Sequence, residues 1–346
     1  MPVLPAARPP SPPAPVAPAL AQLISPQLEA VEALFACELA SDLANVNQLV
    51  THVARFRGKM LRPTLVLLAG TAAGDSAEGL SDDHITLATV VEMVHMATLV
   101  HDDILDGAEV RRRGATINHL HGNEAAVLLG DYLISHAFHL CSRLRGEPRA
   151  GTLTASRLIG QTTNILCEGE LTQNYHRHNW QLDEQTYFLI IYRKTAALTE
   201  ACCRLGAMYA TERPEVVDAL AAYGRHLGLA FQIVDDVLDI VGQQKTVGKS
   251  LGTDIEKGKL TLPLIHFLAH GAPQHRDLLI ALLESQDLDR VERVRQLIGP
   301  SDSIGYARQR AQGLVEEAIR ALDILPPSEA REALIEAAQY VTARDK

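Results

Sequence analysis

An all-α bundle packed around one core is the fold class this sequence predicts, and three observations predict it. The 346 residues are 47% hydrophobic but only 4% aromatic, with abundant alanine and leucine; that balance favours helix over sheet. Apolar residues recur at spacings of three and four, the stripe that a helix buries. No strand-like alternation stands out, and no internal repeat of roughly 20–50 residues is found.

Along the chain, residues 1–18 hold eight of the 17 prolines. They read as a disordered or polyproline-II tail preceding an all-α domain over 19–346. From Ala19 the helical pattern begins, with Leu20, Leu23, Ile24, Leu28, Val31 and Leu34 on one stripe. A second helix spans Leu61 to Ala73, with Pro63 in its first turn, where a missing N–H costs little. Ser81-Asp82-Asp83 caps a long helix running to Asp106. Val110 to Gly122 carries Gly and Thr breakers and a basic cluster, and is expected to be a loop. Helix follows from Asn123 to Arg145, a turn over Gly146 to Gly151, and helix again from Thr152 to Tyr175. His176 to Gln181 is polar and loop-like. Asp183 caps a helix through Ala210, and Pro214 opens the next. Gly242 to Gly258 is the longest breaker-rich stretch. From Leu260 onward amphipathic helices are expected, broken near Gly271-Ala272-Pro273, Gly299-Pro300 and Pro326-Pro327.

The net charge of −10 argues against a nucleic-acid partner. A small anionic substrate is compatible with it only if local basic residues or metal ions offset the field. Cys37, Cys141, Cys167, Cys202 and Cys203 have no metal-site spacing. They read as reduced, buried small hydrophobes of a cytoplasmic protein. No apolar run approaches the ~18 residues a membrane-spanning helix needs, and no signal peptide is expected.

The most informative stretches are Asp102-Asp103-Ile104-Leu105-Asp106 and Asp235-Asp236-Val237-Leu238-Asp239. Both read D-D-x-x-D. Positions i and i+4 share a helix face, so Asp102 faces with Asp106 and Asp235 with Asp239, and each like-charge pair destabilises its helix. Apolar flanks place both helices in a core, where unpaired acids are expensive. Cations must therefore neutralise them, and carboxylate oxygens suit Mg2+, often shared with substrate phosphates. The candidate metal ligands are Asp102, Asp103, Asp106, Asp235, Asp236 and Asp239. Basic groups recur in an otherwise acidic chain: Lys59 and Arg62 at a helix start, Arg111-Arg112-Arg113, Arg193-Lys194, and Lys245, Lys249, Lys257 and Lys259 in the glycine-rich stretch. Arg and Lys bind phosphate oxygens by charge-assisted hydrogen bonds. Carboxylate-bound Mg2+ with nearby Arg and Lys is equipped for a diphosphate.

Several motifs in order resemble the trans-isoprenyl diphosphate synthases, or polyprenyl synthetases, over roughly residues 25–346. Gly58-Lys59-x-x-Arg62-Pro63 resembles their N-terminal motif. Glu92 to Asp103 with Asp106 and Arg111-Arg112 resembles their first aspartate-rich region. Cys167-Glu168-Gly169-Glu170 with Gln173, and Lys194-Thr195-Ala196, resemble their central motifs. Phe231-Gln232-x-x-Asp235-Asp236-x-x-Asp239 resembles the second aspartate-rich region, and Gly248-Lys249, Gly252, Asp254, Gly258-Lys259 and Thr261-Leu262-Pro263 the loop after it. Arg344-Asp345-Lys346 is similar to the family's basic tail. Arg113 departs from the pattern, standing where the family usually has glycine.

The resemblance implies the isoprenoid synthase fold, with the active site in a central cavity, and condensation of isopentenyl diphosphate with an allylic diphosphate such as geranyl or farnesyl diphosphate. It implies Mg2+, three ions per active site, acting through Asp102, Asp106 and Asp235. Lys59, Arg62, His95 and Arg112 then hold isopentenyl diphosphate. Arg111, Lys194, Lys249 and Lys259 hold the allylic diphosphate, and Thr195 and Gln232 flank the allylic cation. A homodimer and transient membrane contact for product release are also implied. Short-chain members carry an aromatic plug four or five residues before the first aspartate; here those positions are Thr98 and Ala97, which implies a product of C30 or longer for a quinone side chain. Tyr132, Phe138, His139, Met93 and Met96 are candidates for a deeper floor. The alternatives are a short-chain (C15–C20) synthase, a class I terpene cyclase, and a regulatory subunit of a heteromeric synthase.

Overall fold

The computed structural model describes residues 18–55, 58–74, 80–111, 114–151, 153–242 and 252–343. Its core runs continuously from Ile24 to Val341. In chain order the helices are α1 (Pro18–Glu38), α2 (Ala44–Ala54), α3 (Leu61–Ala73), α4 (Asp82–Leu105), α5 (Ile117–Cys141), α6 (Ala155–Tyr175), α7 (Glu184–Ile191), α8 (Ala197–Ala210) and α9 (Pro214–Val241). After them come α10 (Thr253–Glu256), α11 (Leu262–His270), α12 (Pro273–Glu284), α13 (Arg290–Ile298), α14 (Asp302–Ala321) and α15 (Glu329–Thr342). A two-residue antiparallel hairpin, β1 (Val110–Arg111) with β2 (Gly114–Ala115), pairs Val110 with Ala115.

The interior is made where α4 packs on α5, α3 on α8, α8 on α9 and α9 on α14. In α3 every residue from Pro63 to Gly70 is buried. Burying one such Val or Leu contributes about 1.5–3 kcal/mol relative to leaving it exposed. Leu65→Ala, at a fully buried site, is therefore expected to cost about 2–5 kcal/mol. Polar ties fix the packing angles. Asp83 at the start of α4 accepts the N–H groups of Arg145 and Gly146, at 3.1 and 2.7 Å, from the turn after α5. The buried Tyr223 of α9 donates its hydroxyl to the Leu334 carbonyl of α15 at 2.7 Å.

The helices that carry the aspartates start as expected. Ser81 precedes α4, and its N–H donates to His84 Nδ1 at 3.1 Å, half of a reciprocal cap. Pro214 sits in the first turn of α9, and Asp183 caps α7 by accepting the Thr186 N–H at 2.7 Å. Other expectations need correction. The stretch Val110 to Gly122 holds the hairpin, too short to show alternation. It also holds the start of α5, where Thr116 accepts the His119 N–H and the helix then breaks at Gly122 (φ 83°). Helix α2 buries only Val50 and Val53, so it left no stripe to read. The helix expected through Ala210 is interrupted by a π-helical turn over Tyr192–Ala196, and a further break falls between α12 and α13. Helix α1 already begins at Pro18 and kinks at Ile24, just before Pro26, which lacks an N–H to continue the ladder. The proline-rich tail otherwise lies outside the described residues. Cys141, Cys202 and Cys203 are buried as expected, but Cys37 and Cys167 are exposed. No helix among the described residues is long and apolar enough to cross a membrane.

Candidate active site

The end of α4 carries the first aspartates, and each has a different neighbourhood. Asp102 is flanked by the acids Glu170 and Asp106 and the cations Lys194 and Arg111. Burial pushes its carboxyl up to about 6, Glu170 and Asp106 add to that, and Lys194 opposes it. Asp103 lies off that face, 3% exposed. Arg111 grips it through Nε at 2.8 Å and Nη2 at 2.7 Å on the same oxygen. The hairpin makes this possible: Thr116 and Asn118 donate to the Ala108 carbonyl at 2.7 and 3.1 Å, folding the strand that carries Arg111 back over α4. Asp106 accepts from three cations: Lys259 at 3.2 Å, Lys257 at 3.1 Å and Arg177 at 3.2 Å. Burial alone would raise its carboxyl, but Lys259 and Lys257 outweigh it and hold it below the usual range.

The end of α9 is held by neutral donors instead. Asp236 accepts the Tyr187 hydroxyl at 2.6 Å and Gln232 Nε2 at 2.8 Å. Burial beside Asp254 pushes its carboxyl well up. Asp239 accepts from the Thr253 N–H and hydroxyl and the Asp254 N–H, at 3.3, 3.1 and 3.1 Å. It thereby anchors α10 to the end of α9. Asp254 itself is pushed up to about 6 by burial and by Asp239, opposed by Lys259 and Lys194. Asp235 is half-buried beside this group.

Lys194 and Thr195 sit on the π-helical turn between α7 and α8, a distortion common at functional sites. Lys194 donates to Glu170 and, at 2.8 Å, to Gln173 Oε1. Burial works against its ammonium, but Asp102 and Glu170 outweigh this and raise its pKa. Gly169 allows α6 this close: a Cβ there would lie 2.6 Å from the Lys194 backbone nitrogen. Thr195 Oγ1 donates to Gln232 Oε1 at 2.8 Å, extending the chain that ends on Asp236. Lys194, Thr195, Gln232, Asp236, Asp254 and Lys259 all line one cavity.

Lys59 and Arg62 flank the start of α3, and His95 lies within α4. Arg62, at the start of α3, is lowered by burial and supported by Glu92 of α4. Lys59 lies 5.6 Å over the Tyr340 ring of α15. His95 precedes Asp102 by seven residues, so it shares that face about 10 Å away along the helix. Arg112 and Lys249 lie outside the described residues. Sequence reasoning missed Arg177 and Tyr187. Arg177 gave no signal, being one of several polar residues in a presumed loop. Tyr187, two helical turns before Lys194, was hidden among core residues of α7.

The donor set fits a hard divalent ion: carboxylate oxygens on two helices that share Lys194 and Lys259 as neighbours. Among the described residues, no three His, Cys, Asp or Glu side chains converge to hold an ion by themselves. Cations stand between the clusters, so phosphate oxygens are the natural completion of both the metal shells and the lysine and arginine partners.

The polyprenyl synthetase family model matches residues 44–299. Octaprenyl diphosphate synthase of Escherichia coli is 35% identical over 94% of this chain and 98% of its own. A short chain isoprenyl diphosphate synthase of Methanothermobacter thermautotrophicus is also 35% identical, over 85% of this chain and 89% of its own. A polyprenyl synthase from Caulobacter crescentus, complexed with calcium and isoprenyl diphosphate, superposes with a TM-score of 0.86 at 32% identity, covering 95% of this chain and 98% of the other.

Proposed function

This chain belongs to the polyprenyl synthetase family and is a prenyltransferase, and we propose that it extends geranyl or farnesyl diphosphate with isopentenyl diphosphate to a trans-polyprenyl diphosphate of C30 or longer. One observation carries the reading. Lys259, beyond the second cluster, reaches 153 residues back to Asp106 of the first, so the two clusters and their lysines address one space.

Lys59, Arg62, His95 and Arg112 hold isopentenyl diphosphate, and Arg111, Lys194, Lys249 and Lys259 the allylic diphosphate. Asp102, Asp106 and Asp235 present their oxygens to Mg2+, three ions per site, with Asp103, Asp236 and Asp239 keeping the clusters in register. When bound, Mg2+ supplies Lewis-acid stabilisation to the departing diphosphate. Thr195 has its proton committed to Gln232, so its oxygen lone pairs face the developing allylic cation without a strong nucleophile. The departing diphosphate takes the final proton, and no side-chain base is assigned.

Chain length rests on Ala97 and Thr98. Ala97 is fully buried, and the Thr98 hydroxyl is turned back onto the His95 carbonyl at 2.8 Å, so neither position carries an aromatic plug. Phe138 and His139 are exposed in the single chain, which favours the buried Met93 and Met96, or the half-buried Tyr132, as the floor. The enzyme works in the cytoplasm, as a homodimer, with transient membrane contact for product release. Exposed Leu128 on α5 and Leu171 on α6 support association, which light scattering at twice 37.6 kDa would register. The functional test is purified protein with Mg2+, isopentenyl diphosphate and farnesyl diphosphate. Products of C30 or more are expected, shortened in Thr98→Phe. Only C15 or C20 products contradict the chain length. A cyclic hydrocarbon indicates a cyclase, and no elongation with several primers a regulatory subunit.

A further inference from the structure

Three cations on one carboxylate are more than that carboxylate needs. Asp106 carries one negative charge, yet Arg177, Lys257 and Lys259 all lie within 3.2 Å of its oxygens. The surplus is built in. Arg177 lies just past α6 and Lys257 just past α10, and the two turns are bolted together: the His178 N–H donates to the Gly258 carbonyl at 2.8 Å. Gly258 has φ +66°, and a Cβ there would lie 2.3 Å from the His178 ring, so the joint admits only glycine without rearrangement. His178 itself holds φ 60°, a conformation that costs a non-glycine residue energy. The chain thus keeps a strained turn that brings two cations to one acid. Arg177 Nε, moreover, is buried with no hydrogen-bond partner among the described residues. A guanidinium with a buried donor left over has capacity for another acceptor.

A divalent ion on Asp106 would repel these three neighbours at close range. They can stay only if an anion enters with the ion. We infer that Arg177 and Lys257 are exchangeable counter-ions, which hold Asp106 while the site is empty and pass to diphosphate oxygens when metal and diphosphate enter together. The inference rests on the prenyl-transfer reading above and extends it. The two residues oppose metal binding alone and favour metal with diphosphate, so the two ligands bind as a pair; this is a coupling free energy between them.

A merely structural ion pair would not produce effects of opposite sign, and that is the test. Mn2+ binding is followed by electron paramagnetic resonance, with and without inorganic diphosphate, on the full chain and on Arg177→Gln and Lys257→Gln. Melting curves establish that each variant is folded, and Lys257→Arg serves as the charge-retaining control. In both Gln variants Mn2+ alone should bind about tenfold more tightly, and Mn2+ with diphosphate about tenfold more weakly, a combined loss of coupling near a hundredfold. Lys257→Arg should behave as the unaltered chain. Unchanged affinities, or shifts of the same sign with and without diphosphate, overturn the inference while leaving prenyl transfer intact. If diphosphate fails to strengthen Mn2+ binding in the unaltered chain itself, the functional reading fails and this inference with it.

Discussion

At the end of α4, Asp103 is gripped by Arg111 and Asp106 by Arg177, Lys257 and Lys259. At the end of α9, the corresponding positions are held, among the described residues, by neutral donors: Asp236 by Tyr187 and Gln232, Asp239 by Thr253 and the Asp254 N–H. The same five-letter spelling is therefore embedded in two kinds of chemistry. Ion pairs can be exchanged for other ions, so Asp106 of the first cluster is suited to give up its partners to metal and diphosphate. Neutral hydrogen bonds fix direction without cancelling charge. The second cluster is suited to hold the loop beyond it, and the Thr195–Gln232 pair, in place while keeping a negative field.

The largest effect expected of this comparison falls on the aspartates proposed to hold metal in each cluster. Asp102→Ala and Asp235→Ala should each reduce elongation by about 10²–10³-fold or more, with unchanged helical circular dichroism. Near-normal turnover in Mg2+ from either variant would break the comparison at its root. Next come the holders of the middle aspartates. Arg111→Gln and Tyr187→Phe each remove one partner of a buried carboxylate and should cost about 1–3 kcal/mol in urea unfolding. Their salt responses should differ. The Arg111→Gln penalty shrinks only slightly in 1 M NaCl, because a pair this buried is partly shielded from screening, whereas the Tyr187→Phe penalty does not change with salt.

Acidity has a gentler effect, within the first cluster. Asp102 titrates at about 6 because burial disfavours its charge, while Asp106 is held low by lysines. A metal ligand must be deprotonated. The apparent Mg2+ affinity in an activity titration should therefore be flat above pH 6 and fall towards about tenfold per unit below it, with added Mg2+ restoring rate. A flat dependence down to pH 5 would contradict the buried environment of Asp102. The smallest effect is Asp239→Asn, which keeps one acceptor and should cost about 0.5–1.5 kcal/mol, read as faster amide exchange over 252–256 with little change at Tyr187.

Both aspartate helices were legible in the sequence because their signals are local: a Ser81 or Pro214 start, apolar spacing, and acids one turn apart. So were the basic groups, since their chemistry is visible residue by residue. What escaped depends on contacts distant in sequence. The π-helical turn under Lys194 follows from the fit of α6, α7 and α8 around Gly169, and no spacing rule encodes it. Arg177 sits 71 residues from Asp106, and nothing about His176-Arg177-His178 marks it as more than a polar loop. Helix α2 was missed because its partners bury so little of it. The split between exchangeable and fixed aspartates was likewise invisible, since Asp106 and Asp239 occupy equivalent letters and differ only in what packs against them.

Anomalous diffraction from crystals soaked with Mn2+ and inorganic diphosphate tests the central claim most directly. The account predicts ions on Asp102, Asp106 and Asp235 with diphosphate between the two helices, while Asp103 keeps Arg111 and Asp236 keeps Tyr187. Ions ligated by Asp103 or Asp236, or diphosphate bound away from both clusters, would contradict it.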